Sequence, residues 1–408
     1  MKNILRSFLV TIIIFNSSHG FCQTAPDYLE RGIEKFEKED YLGALSDFDK
    51  SIKLDSTSYD AFYNRGVLFG VLTLSTTALK DFSKAIELNP RSHEAYYNRG
   101  VIKIKLNDLT GAIIDFNKAI EIKPNFSLAI YNKGTVEVRL DRFENAYQDY
   151  LKVISIDSSF EQAYYNLGLL KLKKEDIYGA IKDFTKVLSL ESKYAPAYIK
   201  RGSSYHELGI YDKAISDFNN AIELDDNNHD YYCFRANSKR AKKDYSGALI
   251  DINNALSIKN DTSWTYLIRG NIENDLNDYQ KSLNDFTKAI ELDPAYYEAY
   301  FNRGMVKRTM NDINGAISDF SIAINLNSQS AQAFLNRGNA KGVLKNYLSS
   351  IEDFNEAIKL DPTYISAYIN RGFANMLINN KAKACQDWNM AKKLGDMSAN
   401  ELILKYCK

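Results

Sequence analysis

The chain has 408 residues, enough for two or three ordinary domains, yet it holds only six prolines and no Gly/Ser-rich or acidic stretch that would mark a linker. Lys plus Arg and Asp plus Glu are equal at 52 each, so the formal net charge is zero. A nucleic-acid binder displaces counterions with a basic face, and this balance supplies none.

The first residues have the pattern of an export signal. Lys2 and Arg6 form a basic start, Ser7 to Phe15 is mostly apolar, and a short polar stretch leads to Phe21-Cys22-Gln23. A nine-residue helix would rise about 14 Å, roughly half of a bilayer's hydrocarbon core, so this segment is too short to span one. Cleavage after Cys22, with Gly20 three residues inside the signal, is expected, giving a signal peptide over 1–22. The alternative, a lipid anchor on Cys22, needs a small residue just before the cysteine, and Phe21 is bulky. The protein is therefore expected to be exported, to the periplasm or beyond. Export would permit a disulfide. Cys385 and Cys407, 22 residues apart near the C-terminus, are the candidate pair, with two separate thiols as the alternative; Cys233 would stay free.

One period runs through the rest. Gly32, Gly66, Gly100, Gly134, Gly168, Gly202, Ala236, Gly270, Gly304, Gly338 and Gly372 fall every 34 residues without an insertion. Fifteen residues after each stands an aspartate, from Asp47 to Asp387, and the next residue is aromatic in every repeat except at Ile252. Self-similarity at this period marks a repeat architecture. Within one unit, Ala95 to Leu106 has helical apolar spacing, Asn107-Asp108 forms a polar turn, and Thr110 to Ile122 gives a second helix. Pro124 then stops it, because proline lacks the N–H that would continue the ladder. Gly100, Ala112 and Ala119 are small where two backbones would approach, and Tyr96 and Phe116 fill the seam.

A small residue at repeat position 8, alanine at 20 and 27, aromatics at 4 and 24 and proline at 32 make the chain resemble the tetratricopeptide repeat family. The resemblance covers residues 25–398 as eleven units: 25–58, 59–92, 93–126, 127–160, 161–194, 195–228, 229–262, 263–296, 297–330, 331–364 and 365–398. It implies an all-α, right-handed superhelical solenoid of antiparallel helix pairs whose first helices line a concave groove, with 399–408 as a capping helix. The chain departs from the family in having arginine at position 7, few aromatics at position 11, and an apolar turn (Leu72, Leu74) in repeat 2.

Arginine precedes the glycine in nine repeats; Lys133 and Leu167 fill the other two. Each cation lies 16 residues before the recurring aspartate with the turn midway, which places the two at one height in the hairpin. An Arg–Asp bridge in each repeat is expected, structural rather than ligand-binding. In repeat 5, Leu167 leaves Asp183 without its usual partner, so Asp183 is expected to turn to Lys133 or Arg201.

Position 6 carries a second ladder: Asn64, Asn98, Asn132 and Asn166, then Asn302, Asn336 and Asn370. It is similar to the asparagine ladder in the superhelical domain of O-linked sugar transferases, which implies a clamp on a bound peptide's backbone; an amide both donates and accepts without reading side chains. Tyr63, Tyr97, Tyr131 and Tyr165 stand one residue earlier, at a position the family turns toward the groove. The alternative is that asparagine only belongs to the repeat consensus. The ladder breaks at Lys200, Phe234 and Ile268, with His206, Arg240 and Trp264 nearby, which reads as either a binding hot spot or a repacked seam between repeats.

No Gly-rich phosphate loop, HExxH or CxxC occurs, and His93, His206 and His229 fall in different repeats. No cofactor and no metal are expected. The sequence thus points to a non-catalytic, protein-binding scaffold, with a self-associating structural protein of the cell envelope as the second reading, no nucleic acid as partner, no membrane span in the mature chain, and homo-oligomers allowed.

Overall fold

The computed structural model describes residues 24–407. The signal segment expected over 1–22, with Cys22, lies outside them. The described residues form 23 helices. They pair as eleven antiparallel hairpins followed by one shorter helix, Ala399–Tyr406. First helices have 13 residues (Ala25–Glu37, Tyr59–Val71, His93–Lys105 and so on) and most second helices 14 (Leu109–Ile122, for example). The architecture is all-α, and within each of the chain's units the hairpins stack as a solenoid. The chain falls into two compact units, one up to Ala197 and one from Tyr198.

Local chemistry sets each hairpin. In repeat 3 the Ser92 hydroxyl accepts from the Ala95 N–H at 3.0 Å, capping the first helix. Asn107 takes a left-handed φ of 61°, and the Asp108 N–H folds back onto the Lys103 carbonyl at 2.8 Å. That motif satisfies a carbonyl the helix end would leave bare. Asp108 then caps the second helix by accepting from the Gly111 N–H at 2.9 Å. All eleven hairpin turns place one residue at positive φ, and only repeat 6 uses glycine there, Gly209 at 73°.

The glycine at repeat position 8 has a packing cause. A Cβ on Gly100 would sit 2.8 Å from Phe116 Cε1, closer than carbon atoms tolerate. The helices of a hairpin therefore close over the aromatic ring, and Phe116 is fully buried. In the first unit the same seam is filled by Phe48, Phe82, Tyr150 and Phe184; in the second by Phe218, Ile252, Phe286, Phe320, Phe354 and Trp388. The alanines at positions 20 and 27, such as Ala112 and Ala119, are 0% exposed, so any larger side chain there would push the helices apart. At the end of the second unit Tyr406 packs 5.6 Å from the Trp388 ring. Cys385 and Cys407 are joined by a disulfide (Sγ–Sγ 2.05 Å) that ties the last helix to the last hairpin, and Cys233 is a buried free thiol.

Candidate functional site

The expected bridge forms in all nine arginine repeats. Arg99 is typical: its Nε and Nη2 donate to Asp115 Oδ2 and Oδ1 at 2.9 and 2.7 Å. The arginine does more than the spacing implied. Its Nη1 reaches Ser83 of the preceding repeat at 3.3 Å, and its guanidinium carbon lies 5.6 Å from the Tyr96 ring centroid. Arg65, Arg235, Arg269, Arg303, Arg337 and Arg371 likewise reach a polar side chain 16 residues earlier, at 2.6 to 3.4 Å. One side chain thus closes its own hairpin and fastens it to the one before.

A second cation, unnoticed in the sequence, completes many bridges. Lys35, Lys103, Lys171, Lys239, Lys307 and Lys341 occupy position 11, where the family's aromatic is missing, and stand 2.7 to 2.8 Å from the repeat's aspartate. This corrects the expectation for repeat 5. Asp183 is met by Lys171 of its own repeat at 2.7 Å, while Lys133 and Arg201 are engaged by Asp149 and Asp217. A lysine one turn along the same helix is nearer than any neighbouring repeat. The signal was present as lysines every 68 residues from Lys35 to Lys307.

Electrostatics follow the partners. Arg31, with Lys35 assisting, holds Asp47 down to about 2. Asp149 pairs with Lys133 but has a buried Oδ2 with no hydrogen-bond partner among the described residues, and burial raises it. In repeat 8 position 11 carries an acid instead. Glu273 is buried, and burial together with the charge of Asp285 pushes it up to about 7 against the pull of Arg269.

The asparagine ladder is laced between repeats. Asn98, Asn132 and Asn166 donate to the hydroxyls of Tyr63, Tyr97 and Tyr131 of the preceding repeat at 2.9 to 3.0 Å. Asn302 and Asn370 donate to Asn271 and Asn339 at 2.9 and 2.8 Å. Asn64 donates to the Asp60 carbonyl, and Asn336, buried, donates to the Gln332 carbonyl and accepts from Arg308. The tyrosines correspondingly turn into the seam. Tyr63 and Tyr97 are 7% and 4% exposed, and Tyr131 and Tyr165 are half-buried against Tyr150 and Phe160, and Phe184 and Tyr194. Tyr63 and Tyr97 thus fill the gap between neighbouring first helices, while Tyr131 and Tyr165 keep part of their surface. The Oδ1 atoms of Asn98, Asn132 and Asn166 take no hydrogen bond among the described residues, and these side chains stay half-exposed.

Of the six residues at the ladder's break, the structure brings Phe234 and Trp264 together, rings 5.4 Å apart, with Phe218 behind at 5.8 Å. His206 bonds Ser238 through Nδ1 at 2.8 Å and is kept below its ordinary pKa by burial. Arg240 is held by Asp275 at 2.7 Å, and Lys200 is exposed. Ile268 is 2% exposed, packed with Cys233, Ile252 and Ile272, and has no surface to offer a partner. The group is largely a repacked seam, because Phe and Ile at position 6 replace an amide with apolar bulk that sinks inward.

In the first unit a cavity of about 300 Å³ opens over repeats 1 to 3, lined by Leu29, Ile33, Tyr59, Asp60, Tyr63, Asn64, Arg91, His93 and Glu94 among others. Among the described residues, no group of three or more His, Cys, Asp or Glu could hold a metal ion, and no helix is long and apolar enough to cross a membrane.

Sequence models described as tetratricopeptide repeat match residues 93–126, 128–160, 161–194, 195–228 and 331–364, and one described as TPR repeat matches 270–307, together about half of the chain. The chain belongs to the tetratricopeptide repeat family. No curated protein matches it. Among solved structures it is similar to the APC/C hetero-tetramer Cut9–Hcn1 (14% identity, 94% of this chain and 96% of that one, TM-score 0.47). It is also similar to a tetratricopeptide repeat protein from Parabacteroides merdae (21%, 61% and 96%, TM-score 0.45) and to YrrB, described as a TPR protein with an unusual peptide-binding site (24%, 45% and 95%, TM-score 0.42).

Proposed function

We propose that the protein is a non-catalytic scaffold that holds an extended peptide, or an extended segment of a partner protein, in the groove lined by its first helices. The observation that carries this reading is the asparagine row of the first unit. Asn98, Asn132 and Asn166 are pinned through Nδ2 by a tyrosine of the preceding repeat, yet on each of these half-buried side chains the carbonyl oxygen takes no hydrogen bond among the described residues. A fixed row of acceptors suits the backbone N–H groups of an extended chain, and pinning removes the rotamer entropy that binding would otherwise cost. Replacement of Asn98, Asn132 and Asn166 by aspartate keeps the acceptors and lets each tyrosine hydroxyl donate in place of the amide, at the cost of a half-buried charge; replacement by alanine loses both the acceptor and the tyrosine bond. Isothermal titration against peptides selected from a random library should show strong loss with alanine and a smaller loss with aspartate. Unchanged affinity in the alanine variant would reject the clamp.

The scaffold is proposed to work outside the cytoplasm. The signal-like start and the Cys385–Cys407 disulfide support this reading, since such a bond persists in oxidising compartments. A second reading, self-association, draws support from apolar side chains exposed near the C-terminus: Phe373 at 40%, Leu377 and Leu404 at 59% and Met397 at 75%. Light scattering across a concentration series distinguishes the two, because a growing oligomer without peptide binding favours self-association.

A further inference from the structure

The cavity over repeats 1 to 3 is built in two parts. One wall is apolar: Leu29 and Ile33 from the first repeat face the stacked rings of Tyr59 and Tyr63, 5.6 Å apart. Two acids, Asp60 and Glu94, also line it. Asp60 is exposed over part of its surface and has no ion pair among the described residues, and partial desolvation raises its carboxyl above the ordinary value. Glu94 accepts from the Ser92 hydroxyl at 3.2 Å and lies 3.1 Å from His93 Nε2. His93 is depressed by burial, so the histidine leaves the glutamate's charge uncancelled.

The two acids act on the tyrosines beside them. The Tyr59 hydroxyl, bonded to Ser92 at 2.6 Å, is pushed up to about 12, by burial first and then by the charges of Glu94 and Asp60. Tyr63 is raised the same way, by burial and then by its neighbours Tyr59 and Glu94. The cation in the lining, Arg91, is exposed, and Lys123 lies beyond His93, 3.3 Å from its Nε2.

We propose that this cavity is the anchor pocket for a lysine or arginine side chain of the bound peptide, whose methylene stem lies on Leu29, Ile33 and the two tyrosines while its cationic tip sits between Asp60 and Glu94. A long cationic side chain is the occupant that matches both parts, since its stem is apolar and only its tip is charged. A volume near 300 Å³ lies at the small end of ligand pockets and suits one side chain rather than a cofactor. The inference rests on the peptide-scaffold reading and adds the chemistry that a row of asparagines cannot read.

The test uses the exported chain from Gln23 onward and a phage library of random nine-residue peptides. Wild-type protein should enrich peptides with Lys or Arg at one fixed position. The double variant Asp60→Asn, Glu94→Gln should still bind library peptides but lose that preference. Its affinity for an enriched synthetic peptide should fall about tenfold, and replacing the peptide's arginine by citrulline should produce the same fall in wild type but none in the variant. Both substitutions are isosteric, on an exposed Asp60 and a half-buried Glu94, and an unchanged melting temperature checks the fold. Peptides that bind without a conserved basic residue, or an unaltered preference in the double variant, would overturn the pocket and leave the scaffold reading standing. Failure to enrich any peptide would overturn both.

Discussion

Removing one arginine tests the structure most directly, because the surroundings of the bridge differ between repeats in a way that orders the outcome. Arg99→Leu deletes two bonds to the fully buried Asp115, one to Ser83 and the stacking on Tyr96. Lys103 remains 2.7 Å from Asp115, so the carboxylate keeps a cation. The loss should be about 2 kcal/mol, that of hydrogen bonds to a charged group. Arg269→Leu deletes the same set around Asp285, but position 11 there is Glu273, and the buried carboxylate is left facing another acid. That loss should reach about 4 kcal/mol, the range for a buried charge stripped of its partner. Repeat arrays do not unfold as one unit, so the measurement is hydrogen exchange of the flanking helices at pH 8, alongside urea unfolding. Equal losses, or a larger one for Arg99, would refute the compensating role of the position-11 lysine. No loss in either would mean that the bridges are solvated and contribute nothing.

Glu273 makes stability depend on pH in a defined direction. Its folded value is raised to about 7 from an ordinary 4.5, so its contribution is fully present below 4.5 and is lost as pH rises through 7. Glu273→Gln should flatten thermal melts between pH 5 and 8; an unaltered slope would place the titration elsewhere. Lys345 sits at φ 60° in its turn, so Lys345→Gly should stabilise by about 0.5–1 kcal/mol, whereas Gly209→Ala, at φ 73°, should destabilise by about 1 kcal/mol; thermal melts with opposite signs are the check. Cys407→Ser should release Ala399–Tyr406 to fast exchange while the first hairpins keep their protection, because the bridge closes only the chain between residues 385 and 407. Mass spectrometry of the exported protein should find Gln23 as its first residue; a lipid-modified Cys22 would replace soluble export with anchoring.

The repeat, its two helices, its small residues and its Arg–Asp bridge were legible in the order of residues alone. An uninterrupted period of 34 forces every hairpin into one register, and a 16-residue spacing across a turn has only one way to bring its ends level. What the order of residues left open was which side chains face a neighbour and which face solvent. Tyr63 and Asn98 look like independent groove residues until helices from consecutive repeats lie side by side, where the hydroxyl of one becomes the partner of the other's amide. Ile268 looks like an exposed break in the ladder until the packing of Cys233 and Ile272 draws it inward. Lys171 and Glu273 occupy the same repeat position, yet one pairs with an aspartate and the other confronts it. Sequence fixes the periodic part because repeats differ little from one another. The tertiary structure decides the rest, because burial and pairing at any one position depend on what the adjoining repeat happens to carry.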